Sequence, residues 1–195
     1  MAMHNELWFP SVIWSAIINN VDNIALKKYA YERQKEDEGR KISNAGGWQS
    51  NDIPAGACPE VDNLVKTLNN ELVEICNQTA LNPVQIYNIW ININPPGSFN
   101  LAHHHMGAMF SGVYYVDADP QQGNIIFERG DNAEYHVRPH NIQKVNYYNS
   151  QSCTYAAKTG ALYIFPSWLK HHVQANRANK DRISISFNYG EPFQV

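Results

Sequence analysis

Residues 182–189 read Arg182-Ile183-Ser184-Ile185-Ser186-Phe187-Asn188-Tyr189, and successive side chains of a β-strand point to opposite faces. Ile183, Ile185, Phe187 and Tyr189 therefore make one apolar face, and Arg182, Ser184, Ser186 and Asn188 the other. The same period of two runs back to Pro83, through candidate strands at 84–93, 110–116, 124–128, 143–148, 153–156, 161–165 and 172–175. With 182–189 these are enough strands for two packed four-stranded sheets, as in a sandwich or barrel. Ahead of Pro83 the pattern differs. Residues 7–18 are apolar and β-branched, and Asp22 or Asn23 can cap a helix that ends near Gly39. Residues 43–50, Ser-Asn-Ala-Gly-Gly-Trp-Gln-Ser, read as an ordered glycine-rich loop. From Pro59, the residues Val61, Leu64, Val65, Leu68, Leu72, Ile75 and Cys76 recur at helical spacing. The expected architecture is a single domain, mainly β, with a strand and buttressing helices in 1–82 and the β core in 83–195.

The chain has 195 residues, 44% of them apolar, and a net charge of −3, which is a folding composition with no basic stripe to attract nucleic acid. No apolar run reaches the roughly 20 residues of a membrane helix, so a soluble, unexported protein is expected. Cys58, Cys76 and Cys153 are an odd set without C-x-x-C spacing, which fits a reducing cytoplasm better than a disulfide framework.

Chemistry is concentrated in histidine. His103-His104-His105 and His171-His172 are two clusters, and imidazole is the commonest ligand for iron, zinc, copper or nickel. In extended backbone His103 and His105 face one way and His104 the other. A bare H-x-H is more often a solvated loop. His171, after the turn Phe165-Pro166-Ser167-Trp168, sits at another strand edge that a barrel could bring to the first pair. His4, His136 and His140 read as surface residues. On the last strand, Arg182 and Ser184 could grip a carboxylate by a charge-assisted fork plus a hydroxyl; a polar face in water is the plainer explanation of the same pattern. Trp90, Asn92, Tyr114, Tyr115 and Asn188 lie on expected strands and could line a cavity. Trp48 could cover its mouth or plug the end of the barrel.

Five blocks occur in order: residues 43–50, His103 to His105, Ser111-Gly112-Val113-Tyr114-Tyr115-Val116, residues 165–171, and residues 182–188. Together they resemble a family of 2-oxoglutarate/Fe(II) oxygenases of bacteria and marine phages. The resemblance implies a double-stranded β-helix (a jelly-roll, cupin-like core) and the cofactors Fe(II), 2-oxoglutarate and O2. It implies His103 as first metal ligand, His171 as distal ligand, and Arg182 with Ser184 on the far carboxylate of 2-oxoglutarate. Asn92, Tyr114 and Asn188 are the further expected co-substrate contacts. The implied reaction is decarboxylation of 2-oxoglutarate to succinate coupled to hydroxylation of a substrate, either a small molecule or a protein side chain. A homodimer and the cytoplasm of a bacterial or phage-infected cell complete the expectation. The departure lies at His105, where the wider superfamily carries Asp or Glu; His105 is the expected third ligand, with Asp117, Asp119 and Glu128 as alternative carboxylates. Two rival readings stay open. One is a cupin-type metal enzyme that ignores 2-oxoglutarate, favoured by Gly97, Gly160 and Pro166 around the histidines but lacking the second-motif Glu. The other is a metal-free binding module.

Overall fold

The computed structural model describes residues 3–131, 140 and 142–190. Its elements in chain order are β1 (Trp14–Ile17), α1 (Asn23–Glu36), β2 (Asn44–Ala45), β3 (Trp48–Gln49), α2 (Pro59–Thr79), β4 (Gln85–Asn94), β5 (Phe99–His103), β6 (Phe110–Asp117), β7 (Ile125–Glu128), β8 (Ser152–Tyr155), β9 (Ala161–Pro166), β10 (His171–Val173) and β11 (Arg182–Gly190). One sheet has the order β1-β9-β6-β11-β4-β3 and the other β2-β5-β10-β7-β8. Stripped of the short N-terminal strands, each sheet keeps four strands among the described residues, and most successive strands from β4 to β11 cross from one sheet to the other. This is the double-stranded β-helix.

β11 lies at the centre of the larger sheet, between β4 and β6. Both of its faces are buried. Ile183, Ile185, Phe187 and Tyr189 pack outward against the helices in a core with Leu26, Leu64, Leu68, Leu72 and Ile75, each such side chain contributing roughly 1.5–3 kcal/mol on burial. Arg182, Ser184 and Asn188 are equally hidden, 1%, 5% and 6% exposed, but on the inner face between the sheets. The polar face of this strand is therefore the wall of an interior, not a solvated surface.

The helices follow from their caps and stripes. Asp22 accepts from the Ala25 amide at 3.0 Å to start α1, which ends at Glu36, before the expected Gly39. Pro59 sits in the first turn of α2, and Ala80 closes it in the left-handed conformation, φ 54°. Tyr189 on β11 donates to the Leu68 carbonyl at 2.8 Å, tying α2 to the sheet. Among the described residues no helix is long and apolar enough to cross a membrane.

Three local expectations are corrected. Residues 143–148 form no strand: the Asn146 side chain accepts from the Tyr148 amide at 2.9 Å, and Asn149 accepts from the Asn146 amide at 2.9 Å, so asparagine turns outcompete the alternation. Of residues 7–18 only Trp14–Ile17 is a strand, and Leu7, Trp8 and Phe9 are exposed. The loop 43–50 contributes one short strand to each sheet, β2 pairing with β5 and β3 with β4. Trp48 turns to the helix side, its indole donating to the Asp37 carbonyl at 2.9 Å, so it neither covers the mouth nor plugs the barrel.

Candidate metal and co-substrate site

Between the sheets lies a cavity of about 310 Å³, lined by His103, His105, His171, Trp90, Asn92, Tyr115, Arg182, Ser184 and Asn188, among others. His171 is the direct cross-strand partner of His103 in the β5–β10 pairing, which puts both rings on one side of the sheet. His105 lies two residues past His103, beyond the end of β5. Its amide donates to the Ser167 carbonyl at 2.9 Å, and the Ser167 amide to the Met109 carbonyl at 3.2 Å. The turn before β10 is thereby laced to the segment after β5. One nitrogen from each ring falls within 4.8 Å of the others, and the ring centroids are 4.4, 5.1 and 5.2 Å apart.

Each ring has its Nδ1 engaged by an oxygen: His103 with the Leu101 carbonyl at 2.7 Å, His171 with the Leu169 carbonyl at 2.9 Å, and His105 with Asn188 Oδ1 at 2.6 Å. A carbonyl only accepts, so Nδ1 carries the proton and each Nε2 presents a lone pair. His105 Nε2 is buried, with no hydrogen-bond partner among the described residues. An orphaned buried acceptor costs free energy. Burial, reinforced by the neighbouring imidazoles, pushes the pKa of His105 down to about 4 and that of His171 to about 3, and burial lowers His103 as well. The three rings are neutral at physiological pH. Neutral, oriented imidazoles with converging lone pairs fit a divalent transition metal. Phe165 packs edge-on to His171 at 4.7 Å, and Trp90 stacks on His105 at 5.9 Å, so the rings have little room to turn.

Arg182 occupies the same cavity. Among the described residues, the hydrogen bonds of its guanidinium all leave from Nη1, to the carbonyls of Gln122, Gly123 and Gln174. Gly123 makes this cradle possible. At φ 91° a side chain is disfavoured, and its Cβ would lie 2.2 Å from the Gln174 oxygen and 2.8 Å from Arg182 Nη1. Among the described residues, no carboxylate pairs with the guanidinium. A buried cation without a counter-charge is costly, and burial lowers the Arg182 pKa accordingly. The pocket is thus ready for an anion.

The remaining expected residues divide cleanly. Asn92 and Ser184 line the cavity, Asn92 donating to Ser186 Oγ at 3.1 Å. Asn188 is there too, engaged with His105. Tyr114 is corrected: it lies on the opposite face of β6 in the helix-side core, and its hydroxyl donates to Asn23 Oδ1 at 2.9 Å. Its neighbour Tyr115 takes the cavity side, because one step along a strand reverses the face. No alternative carboxylate approaches the rings. Asp117 pairs with Lys27 at 2.6 Å, Asp119 with Lys180 at 3.1 Å, and Glu128 with Lys170 and His172 at 2.8 and 3.0 Å. His4, His104 and His140 are exposed, and His136 lies outside the described residues. Ser111 and Asn88, which hold Asn188, were not among the expected site residues, although Asn88 shares the face parity of Trp90 and Asn92.

Known proteins share the fold and part of the sequence pattern. No curated protein matches the sequence. By structure the chain is similar to a prolyl-4-hydroxylase of Pseudomonas putida (TM-score 0.70, 15% identity, 94% of each chain covered). It is similar to HygX of Streptomyces hygroscopicus, solved with nickel and 2-oxoglutarate bound (TM-score 0.61, 15% identity, 94% of this chain and 84% of that one). It is also similar to a viral collagen prolyl hydroxylase of Paramecium Bursaria Chlorella virus-1 in complex with 2-oxoglutarate (TM-score 0.59, 10% identity, 91% and 94% covered). At these identities the likeness concerns the fold. The sequence profile of the family described as "Putative 2OG-Fe(II) oxygenase" matches residues 88–188, just over half of the chain and all of the cavity-lining residues discussed above. With more than half of its length matched by this profile, the chain belongs to this 2OG-Fe(II) oxygenase family.

Proposed function

We propose that His103, His105 and His171 hold Fe(II) through their Nε2 atoms, and that Arg182 with Ser184 receives the far carboxylate of 2-oxoglutarate. The observation that carries the first assignment is the buried Nε2 of His105, without a partner among the described residues, in a cluster of three histidines whose potential ligand atoms lie within 4.8 Å of one another. The second rests on the carboxylate-free, deeply buried Arg182, whose Nη1 is fixed by the carbonyl cradle while the rest of the fork remains for a ligand. Bound Fe(II) supplies the oxidative chemistry of the family, in which O2 converts 2-oxoglutarate to succinate and CO2 while a substrate C–H bond is hydroxylated.

The protein's own residues position and insulate. Leu101, Leu169 and Asn188 hold the three ring protons on Nδ1. Phe127 and Phe165 exclude water around His171. Asn92 presents a polar group on the cavity wall, and Trp90 stacks behind His105. A substrate, a small molecule or a protein side chain, would enter past Ile42, Met106 and Tyr87 on the cavity lining. The prolyl hydroxylases among the structural relatives make a prolyl peptide the first substrate to try.

The test is an anaerobic titration of Fe(II)-loaded protein with 2-oxoglutarate, read by the visible charge-transfer band of a chelated 2-oxo acid, followed by succinate release on admitting O2. The band and succinate are both expected. Iron bound without a band would remove 2-oxoglutarate from the proposal, as a cupin-type enzyme requires; no iron bound would remove the metal.

A further inference from the structure

Two of the three candidate ligands have their tautomer set by the main chain. His103 and His171 each direct Nδ1 at the carbonyl two residues earlier, Leu101 and Leu169, and a main-chain carbonyl can only accept. His105 differs. Its Nδ1 faces a side-chain amide, Asn188, at 2.6 Å, and an amide has an accepting end and a donating end of nearly the same shape. Turned the other way, Asn188 would offer Nδ2, the imidazole would have to accept at Nδ1, and its proton would move to Nε2, into the space where the three rings converge. Something has to choose the end.

In the structure the accepting end faces His105, and neighbours on both flanking strands engage the amide. Ser111 Oγ donates to Asn188 Oδ1 at 2.7 Å, and Asn188 Nδ2 donates to Asn88 Oδ1 at 2.9 Å. These residues are direct cross-strand partners, Ser111 on β6 and Asn88 on β4, with Asn188 between them on β11. Ser111 is fully buried and Asn188 is 6% exposed, so water offers little alternative to this row of bonds. A carboxylate in the place of His105 would have no tautomer to select. The device matches the imidazole that departs from the wider superfamily.

We infer that Asn188, aimed by Ser111 and Asn88, is a positioning residue that holds His105 in its Nδ1–H tautomer so that Nε2 stays open to the metal, and is not itself a contact for 2-oxoglutarate. The inference rests on the proposed ligand set. Its first readout therefore needs no metal. In metal-free protein carrying 15N-histidine, His105 is expected as Nδ1–H in the wild type and in Asn188→Asp, which keeps an accepting oxygen. In Asn188→Leu, which removes both ends of the amide, it should shift towards Nε2–H. Anaerobic titration with Fe(II) or Co(II) is the second readout: Asn188→Leu should bind about 10–100-fold more weakly, the usual cost of losing a ligand-orienting partner, and Asn188→Asp should recover most of that loss. Ser111→Ala, which deletes one hydroxyl and leaves the strand intact, should give a smaller shift of both readouts in the same direction, should Asn188→Leu fail to fold.

An Nε2–H wild-type His105 would overturn the inference. So would an Asn188→Leu protein that keeps tautomer and metal affinity but loses affinity for 2-oxoglutarate, which would make Asn188 a co-substrate contact. A wild type that shows Nδ1–H at His105, dependent on Asn188, yet binds no metal would overturn the ligand assignment while the hold of Asn188 on the tautomer stands.

Discussion

Arg182→Met tests the co-substrate assignment most directly. Nη1 is committed to three main-chain carbonyls, so a ligand carboxylate would be met by Nε and Nη2 as a two-point fork. Truncating one partner of a buried, hydrogen-bonded charge pair typically costs about 2–5 kcal/mol, or roughly 30-fold to over 1,000-fold in affinity at about 1.4 kcal/mol per decade. The assay is calorimetric titration of metal-loaded, anaerobic protein with 2-oxoglutarate and, in parallel, with 2-oxobutanoate, which keeps the 2-oxo acid and lacks the far carboxylate. Wild type should prefer 2-oxoglutarate by a factor in that range. The variant should bind both weakly and nearly equally, because the cycle of protein and ligand truncations isolates one interaction. If the variant still prefers 2-oxoglutarate within about threefold of the wild-type ratio, Arg182 does not hold that carboxylate, and the reasoning from its missing counter-charge fails.

Metal-free protein should be acid-sensitive well above the range of ordinary carboxylate titration. The unfolded chain takes up protons on histidine below about pH 6.5, while the folded chain keeps His105 and His171 neutral down to about 4 and about 3 because they are buried. The unfolded state thus binds more protons, and stability falls with pH from about 6.5 downward by up to roughly 1.4 kcal/mol per pH unit per imidazole; a urea midpoint unchanged from pH 7.5 to 5 would contradict this. Gly123→Ala should destabilise the fold by about 1–3 kcal/mol through its left-handed backbone and also weaken 2-oxoglutarate binding, since its Cβ meets both Arg182 and Gln174; thermal melts and the same titration read the two effects. Tyr114→Phe, losing only the bond to Asn23 on α1, should cost about 1 kcal/mol in a urea melt and leave 2-oxoglutarate affinity unaltered.

Much of this was legible because period-two patterning survives whatever covers a strand. The two faces of residues 182–189 were correctly separated, and so were the members of the polar one. What patterning could not say is that the polar face is indoors, because a solvated wall and a cavity wall have the same composition. Nor does it resolve one-residue parity within an aromatic pair, which is why Tyr114, and not the cavity-lining Tyr115, stood as the expected co-substrate contact. β5 was hidden because Phe99-Asn-Leu-Ala-His103 carries too few β-formers to stand out, while the Tyr-rich 143–148 stood out and was turned by its asparagines. A barrel reading let His171 reach the first pair, and the resemblance gave His103 and His171 their ligand roles across 68 positions, a relation that no local rule reaches. The Ser111–Asn188–Asn88 row lay outside all of these signals, since cross-strand register is not written along the chain.

The direct opposition of His103 and His171 has a thermodynamic corollary. β10 is only three residues long, and its register with β5 slips between His171 and Val173, so main-chain bonds alone fasten this part of the smaller sheet lightly. On the proposed ligand set, an ion joining those two rings is a removable cross-link across that seam, and because it holds to the folded chain and not to the unfolded one it stabilises by mass action. Metal occupancy and folding then share one equilibrium: the chain that captures iron would be sewn shut by it, and a chelator would act as a mild denaturant aimed at a single seam.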